Sequence, residues 1–464
     1  MSRSLITRLW AVLLAFFIGG VAASPAERLG MAVRFKTISY QDREQIDYAE
    51  FKAFRLYLQE SFPRVFSALK VETVSGYSLL FHWPGTDTSL PPVLFTAHLD
   101  VVPVEPGTEQ DWQYPAFDGV VADGRIYGRG TLDDKVGVMG LLEAVEQLLT
   151  AGFSPQRTLV FAFGHDEEIS GRDGATGLAA RMRKLGLHFT WMVDEGGMLV
   201  SDNPLIEGRV MALVNIAEKG YLTLTLRANG EGGHSSNPPA VSTIGRLANA
   251  LARIEANPFP PRLVLPVAAM LETLAPHLGQ PERFAFNNLW LTDGLVARRM
   301  AGDRATMPFV RTTTALTMIN AGIKENVVPQ SAEALVNFRL LPGDTPAMVV
   351  DYVRELIDDP LVEISYDMWD NIPGIADFKG GGFAVIAAAV TSVYPEAIVV
   401  PSLMPATTDT RHYVDLADNQ YRFHGVEIAA SQMTSIHGTD EYVGIESYQK
   451  SIAVARSMIE LAAR

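Results

Sequence analysis

Five residues of metal-ligating type recur along the chain: His98, Asp133, Glu168, Asp194 and His437. Each sits in a short polar motif: AHLD at 97–100, GRGTLDDK at 128–135, HDEE at 165–168, VDEGG at 193–197 and SIHGTDEY at 435–442. Four of them follow or closely trail an apolar run that reads as a buried strand. Imidazole and carboxylate both suit Zn²⁺, and a bridging carboxylate can hold two such ions a few ångströms apart with one water activated between them. The chemistry on offer is metal-assisted hydrolysis, and the expectation is an enzyme.

Each motif also has a plainer reading. His98 and Asp100 are two apart, so on an extended segment their side chains face one way, and the carboxylate can fix the imidazole's tautomer. A satisfied structural histidine would give the same pattern. Asp133 and Asp134 follow the turn Gly128-Arg129-Gly130 and precede a helix, where acids also serve as N-caps. That turn is not a dinucleotide loop, because the third glycine is missing and an aspartate would repel pyrophosphate. Glu167 and Glu168 are adjacent at a strand end, so one can bind a metal while the other serves as general base. Surface acids are the alternative there.

The elements that must position these residues follow from hydrophobic spacing. Residues 45–60 have helical periodicity, 93–97 reads as a short buried strand, and 135–149 as a helix stopped at Gly152. A strand at 158–163, a helix at 174–185 and a strand at 189–193 follow. Such alternation predicts an α/β fold, a mostly parallel sheet with helices on both faces, whose sites lie beyond the carboxyl ends of the strands. From about 216 the pattern changes: 221–227 and 333–339 alternate like half-buried antiparallel strands, with a helix at 241–254 between them. The expected organisation is a leader at 1–23, a first catalytic part at 24–215, a smaller inserted α+β lid at 216–339 and a second catalytic part at 340–464. The second part contains a helix near 383–393, a strand at 397–401 and a final helix at 447–462. Residues 257–310, with Pro258, Pro260, Pro261 and Pro266, read as an irregular elaboration of the insert.

At 464 residues and 48% hydrophobic content the chain can bury a large core. Its formal charge of −15, from 38 basic and 53 acidic residues, argues against nucleic acid or an anionic membrane surface as partner. Arg3 and Arg8 precede an apolar stretch at 9–18 and the small residues 19–24, the pattern of a secretory signal; an uncleaved anchor is the alternative, although the stretch is short for a span. With no cysteine and no N-x-Ser/Thr acceptor, export to a bacterial periplasm is the expected destination.

The run DVVPVEPGTEQDWQYPAFDGVVADGRIYGRGTLDDK at 100–135, with HDEE, VDEGG, GGHSSNPP, KENVVPQSAEALVNFRLLPGD, TTDTRHY and SIHGTDEY, resembles the dinuclear-zinc metallopeptidase family of aminoacylases, glutamate carboxypeptidase and succinyl-diaminopimelate desuccinylase. Within it, the resemblance is to the branch of yeast carboxypeptidase S and the secreted N-fatty-acyl amino acid synthase/hydrolase. It implies that Asp133 bridges two Zn²⁺ ions (Co²⁺ or Mn²⁺ as substitutes), His98 and Asp194 hold one, and Glu168 and His437 the other. Glu167 is then the general base and Asp100 the partner of His98. His234 matches the histidine that reaches a partner subunit's site and polarises the scissile carbonyl, which would fit a homodimer through a lid/dimerisation domain, and Asn326 and Arg339 match residues that contact the substrate. The implied reaction is hydrolysis of an amide bond in small peptides or N-acyl amino acids with a free carboxylate. An N-fatty-acyl amino acid hydrolase/synthase is the alternative, with Trp290, Phe309 and 257–310 lining an acyl pocket or simply forming core. A non-catalytic periplasmic binding protein is the rival of another class. Position 134 is aspartate where many of the relatives have methionine.

Overall fold

A computed structural model describes residues 23–203, 205–206, 208–368 and 372–464. The expected leader, Ala23 apart, lies outside the described residues. Among them no helix is long and apolar enough to cross a membrane.

The strand Val93–His98 is buried at every position, so its apolar run must be covered on both faces. Alternation divides it. Val93, Phe95 and Ala97 join the main core with the helices Lys135–Thr150 and Ile445–Ala462, while Leu94 joins Val160, Ala162 and Met192 under the helix Gly174–Lys184. The strand pairs in parallel with Leu159–Gly164 on one side and Trp191–Asp194 on the other. The sheet extends outward through Ser78–Trp83 and Lys70–Val74 at one end and through Gln420–Arg422, Met211–Glu218, Leu199–Ser201 and Glu427–Ala429 at the other. Ile398–Met404 adds in parallel to Met211–Glu218. The parallel centre delivers His98, Glu167 and Asp194 at the carboxyl ends of three neighbouring strands, where sites in such sheets form. This is the α/β architecture expected from the sequence.

A second, four-stranded sheet is built from Thr313–Ala321, Ser331–Leu340, Gly220–Asn229 and Val362–Met368, in that order and antiparallel throughout. Its inner face buries Leu222, Leu224, Leu226, Val336 and Phe338 against the helices Thr243–Ala256 and Pro346–Ile357. The insert therefore runs from Gly220 to Met368, past the expected boundary at 339. The misplaced boundary has a local cause: the helix at 346–357 followed by a strand mimics the αβ rhythm of the first domain, yet Val349, Val353 and Ile357 pack on the small sheet.

Residues 257–310 are mostly helical, not irregular. The helix Leu265–Leu274 begins on Pro266 and Met307–Val310 on Pro308, because proline fits a first turn whose amide is unpaired in any case. These helices, with Leu289–Ala301, pack Val267, Leu271, Val296 and Val310 against Ala217 and Leu403 of the large sheet. They leave the edge strand Thr313–Ala321 uncovered, with Met318 and Ile319 exposed. Phe309 packs against this satellite core, and Trp290 is 82% exposed.

Two consecutive buried residues join the domains. Glu218 Oε2 accepts from Thr408 N (3.1 Å) and Oγ1 (2.9 Å), Thr410 Oγ1 (3.0 Å) and Arg422 Nε (3.1 Å), all in the catalytic part. Lys219 Nζ donates to Pro308 O (3.0 Å), Arg311 O (2.8 Å) and Thr313 Oγ1 (3.3 Å), where the chain re-enters the small sheet.

Candidate metal centre

His98 ends its strand with the imidazole buried. Its Nδ1 lies 3.0 Å from the Asp100 carbonyl and 3.4 Å from Asp100 Oδ1, which leaves Nε2 to face the site. Asp100 is fully buried and also accepts the backbone amides of Glu167 (3.1 Å) and Glu168 (3.2 Å). One carboxylate thus orients the imidazole and pins the turn carrying both glutamates. Burial opposes its charge, but the His98 imidazole and these amides hold its carboxyl below the ordinary range.

Asp134 takes the N-cap role. Its Oδ1 accepts from Gly137 N (3.2 Å) and lies 3.0 Å from His424 Nε2, while Oδ2 accepts the backbone amide of His98 (3.1 Å). With Asp134 turned inward, Asp133 faces the site. Its two oxygens meet different imidazoles, Oδ1 at 2.8 Å from His98 Nε2 and Oδ2 at 2.9 Å from His437 Nε2. Burial works against ionisation there, yet the two histidines hold the Asp133 carboxyl well below its usual range. His437 stands in a loop with φ of 60°, 3.3 Å from Glu168 Oε2, and its bonds to Asp133 and Glu168 push the imidazole up to about 10.

At the third strand end the geometry departs from the sequence expectation. Asp194 forms no ion pair with His98 or His437; it lines a cavity of about 40 Å³ with Thr96, Gly137 and His424. Its neighbour Glu195 places Oε1 3.5 Å from His98 Nε2. The reason is alternation: Asp194 is the last residue of its strand and buried with it, and the next side chain turns to the other face. Burial first, and the Asp133 charge second, raise Glu195 to about 8. Glu168 is raised to about 7 by the same two causes. Glu167, at the start of its turn, is pushed well up by burial and the nearby charges of Glu195 and Asp409.

This donor set fits divalent cations. His98, Asp133 and Glu168 each offer a ligand atom within 4.8 Å of the others, as do His98, Asp134 and Glu195. Glu168 Oε1 and Asp194 Oδ2 are both buried without a hydrogen-bond partner among the described residues, as expected of oxygens meant for a metal. Two imidazoles with carboxylates on either side of Asp133 match the ligand chemistry of a paired-metal site.

The residues expected to touch substrate fall into two places. Arg339, half-buried in the small sheet, reaches Thr407 Oγ1 at 3.3 Å across the domain junction and lies over the Tyr221 ring at 4.6 Å. Burial lowers its pKa, and the charge of Glu167 is among those felt by its guanidinium. His234 and Asn326 are exposed on the lid: His234 pairs in a short strand with Val327, and Asn326 O accepts from Ser235 N at 3.2 Å. Glu195 of the VDEGG motif, His424 and Arg411 lie around these residues, and none of them carries a role in the expectations from sequence. Arg411 is buried 4.0 Å from Asp409 Oδ1 and shares the electrostatic surroundings of Arg339. The doubled acids at 133–134 and 194–195 were the one available signal, since only the backbone decides which member of each pair faces inward.

The pattern described as Peptidase family M20/M25/M40 matches residues 94–461. The chain is 38% identical over 435 residues to the probable carboxypeptidase S-like 2 of Dictyostelium discoideum, spanning 92% of this chain and 83% of that one. It is 37% identical over 440 residues to the N-fatty-acyl-amino acid synthase/hydrolase PM20D1 of Bos taurus, spanning 94% and 87%. Among solved structures, the M20 family metallo-carboxypeptidase Sso-CP2 from Sulfolobus solfataricus shares the fold, with a TM-score of 0.67 over 95% of this chain and 99% of that one at 19% identity. The chain belongs to peptidase family M20/M25/M40 and is an enzyme of the metallohydrolase type.

Proposed function

We propose that this enzyme hydrolyses an amide bond in small peptides or N-acyl amino acids that carry a free carboxylate, using two Zn²⁺ ions. The observation that carries the reading is Asp133, whose two oxygens address His98 and His437 separately, with Glu167 beside the ligand Glu168. Asp133 would lie between the metals, His98 and Glu195 on one side, Glu168 and His437 on the other. Glu195 replaces Asp194 in this assignment on the 3.5 Å contact. Bound metals of this kind polarise a carbonyl and make a water acidic enough to attack it. Glu167 takes that water's proton at its carboxylate and returns it to the departing amine; Asp100 holds the glutamate turn in register. Arg339 faces this region and suits the substrate's carboxylate, with Asn326 on the lid as a second contact.

The share of Glu167 in this chemistry is measurable. Glu167→Ala is expected to lower kcat by about 10²- to 10⁴-fold with metal content unchanged, the range for a lost acid–base group. A panel of dipeptides, N-acetyl and N-oleoyl amino acids then separates peptidase from acylase activity. The name of the Bos taurus relative favours the fatty-acyl arm, and that of the Dictyostelium discoideum relative the peptidase arm. Zinc-loaded protein that binds substrate without turnover would instead revive the binding-protein reading.

The ligand choice has its own test. Glu195→Ala is expected to weaken one of the two metal equivalents at least about tenfold, while Asp194→Asn leaves both nearly unchanged. The reverse order would restore Asp194 as ligand.

Protonation sets a third expectation. Glu168 and Glu195 are raised from 4.5 to about 7 and 8, and His437 from 6.5 to about 10, so the folded metal-free protein holds these protons more tightly than the unfolded chain. Their stabilising contribution is complete below the unfolded values and is lost as pH rises through the folded ones. Thermal unfolding of metal-free protein should show Tm falling between about pH 5 and pH 8, with added Zn²⁺ raising Tm more at the higher pH because binding releases protons. A metal-free Tm that rises over this interval would contradict the protonation pattern.

The exposed His234 and the uncovered edge strand Thr313–Ala321 support a homodimer in which the lid of one subunit serves its partner. Light scattering should give twice the chain mass, and Ile319→Lys should both dissociate the dimer and lower kcat as His234→Ala does. A fully active monomer would refute this.

A further inference from the structure

The geometry points to Glu441 as a positioning residue that locks the two metal-bearing loops to each other. This rests on the two-metal reading above. Glu441 is fully buried, and none of its oxygens is needed as a ligand. Its Oε1 accepts three amides of the turn leading to Asp133: Gly130 N at 3.0 Å, Leu132 N at 2.7 Å and Asp133 N at 3.3 Å. Its Oε2 takes Arg129 Nη1 at 2.6 Å, and Arg129 Nη2 continues to Gly438 O at 2.9 Å, next to His437. The backbone closes the same link, since Gly128 N donates to Glu441 O at 2.8 Å and the strand Tyr442–Gly444 pairs with Arg125–Tyr127. The loop's far side is fastened by Gln113 N to Asp440 Oδ1 at 2.6 Å.

The consequence is specific to the metals. Asp133 can present one oxygen to each imidazole only if its peptide plane and the His437 loop keep a fixed offset. Glu441 spans that offset with charge-assisted bonds, which are stronger and more directional than neutral ones. A glutamine at this position keeps the oxygen facing the amides but sets an NH₂ against the Arg129 guanidinium, donor to donor. The clamp then opens on the Arg129 side. Lysine at position 129 keeps the countercharge and leaves all three amide bonds in place.

The test is zinc binding to metal-stripped full-length protein, followed by calorimetry and elemental analysis, with Co²⁺ absorption as a reading of ligand geometry and Tm measured with and without metal. Wild type should bind two equivalents; failure there would sink the two-metal reading itself and not this assignment. Glu441→Gln is expected to bind its weaker equivalent at least tenfold less tightly, to alter the Co²⁺ spectrum, and to lower the metal-free Tm less than the metal-loaded one. Arg129→Lys is expected to stay within threefold of wild type. Wild-type affinity and spectrum in Glu441→Gln would overturn the proposal. So would a metal-free Tm lowered as much as the loaded one, or failure of Glu441→Gln to fold, because a clamp confined to the metal loops leaves the metal-free fold standing.

Discussion

Negative charge gathered in a buried place is the constraint on which the rest of this structure depends. Asp133, Glu167, Glu168 and Glu195 converge at the ends of parallel strands, with two imidazoles as the nearest positive partners. Ionised carboxylates removed from water at such spacing repel one another strongly and must be neutralised by protons or cations. The upward shifts of Glu167, Glu168 and Glu195 express the first outcome, and the geometry around Asp133 prepares for the second. Everything nearby serves to keep these groups from relaxing apart: Asp100 under the glutamate turn, Asp134 under His98, and Glu441 under the Asp133 turn.

Much of this was legible in the sequence, for physical reasons that also mark where legibility ends. The strand at 93–98 and the helix at 135–150 announce themselves because continuous burial demands unbroken apolar runs and one-sided burial demands a helical stripe. Asp194 against Glu195 could not be decided, since adjacent acids differ only in the face their Cβ takes at a strand's last residue. The helix and strand at 346–368 repeat the rhythm of the first domain, and only their packing partners assign them to the small sheet. The prolines of 257–310 suggested irregular chain, but several occupy first turns, where they are compatible with a helix. His424 joins Asp134 across a separation that no local pattern encodes.

The two domains meet through side chains of opposite sign on neighbouring residues. Glu218 gathers donors from the catalytic side and Lys219 gathers carbonyls from the lid side, so the peptide between them is held from both directions. Lys219 is lowered to about 7 chiefly by burial, and its three acceptors match the three donors of the ammonium form. The chain leaves for the lid and returns at Thr313 beside the same amine. Arg339 also projects across this junction toward Thr407.

The order of ligands along the chain bears on how the molecule is made. Glu441 closes on Asp133 across 308 residues, with the whole lid between. Contacts so distant in sequence form late, after loop closure has already been offset by local structure. A nascent chain carrying His98, Asp133 and Glu168 possesses acids and an imidazole but not the second imidazole, because the His437 loop follows the lid in sequence. Metal capture would therefore report that the segments before and after the lid have folded together.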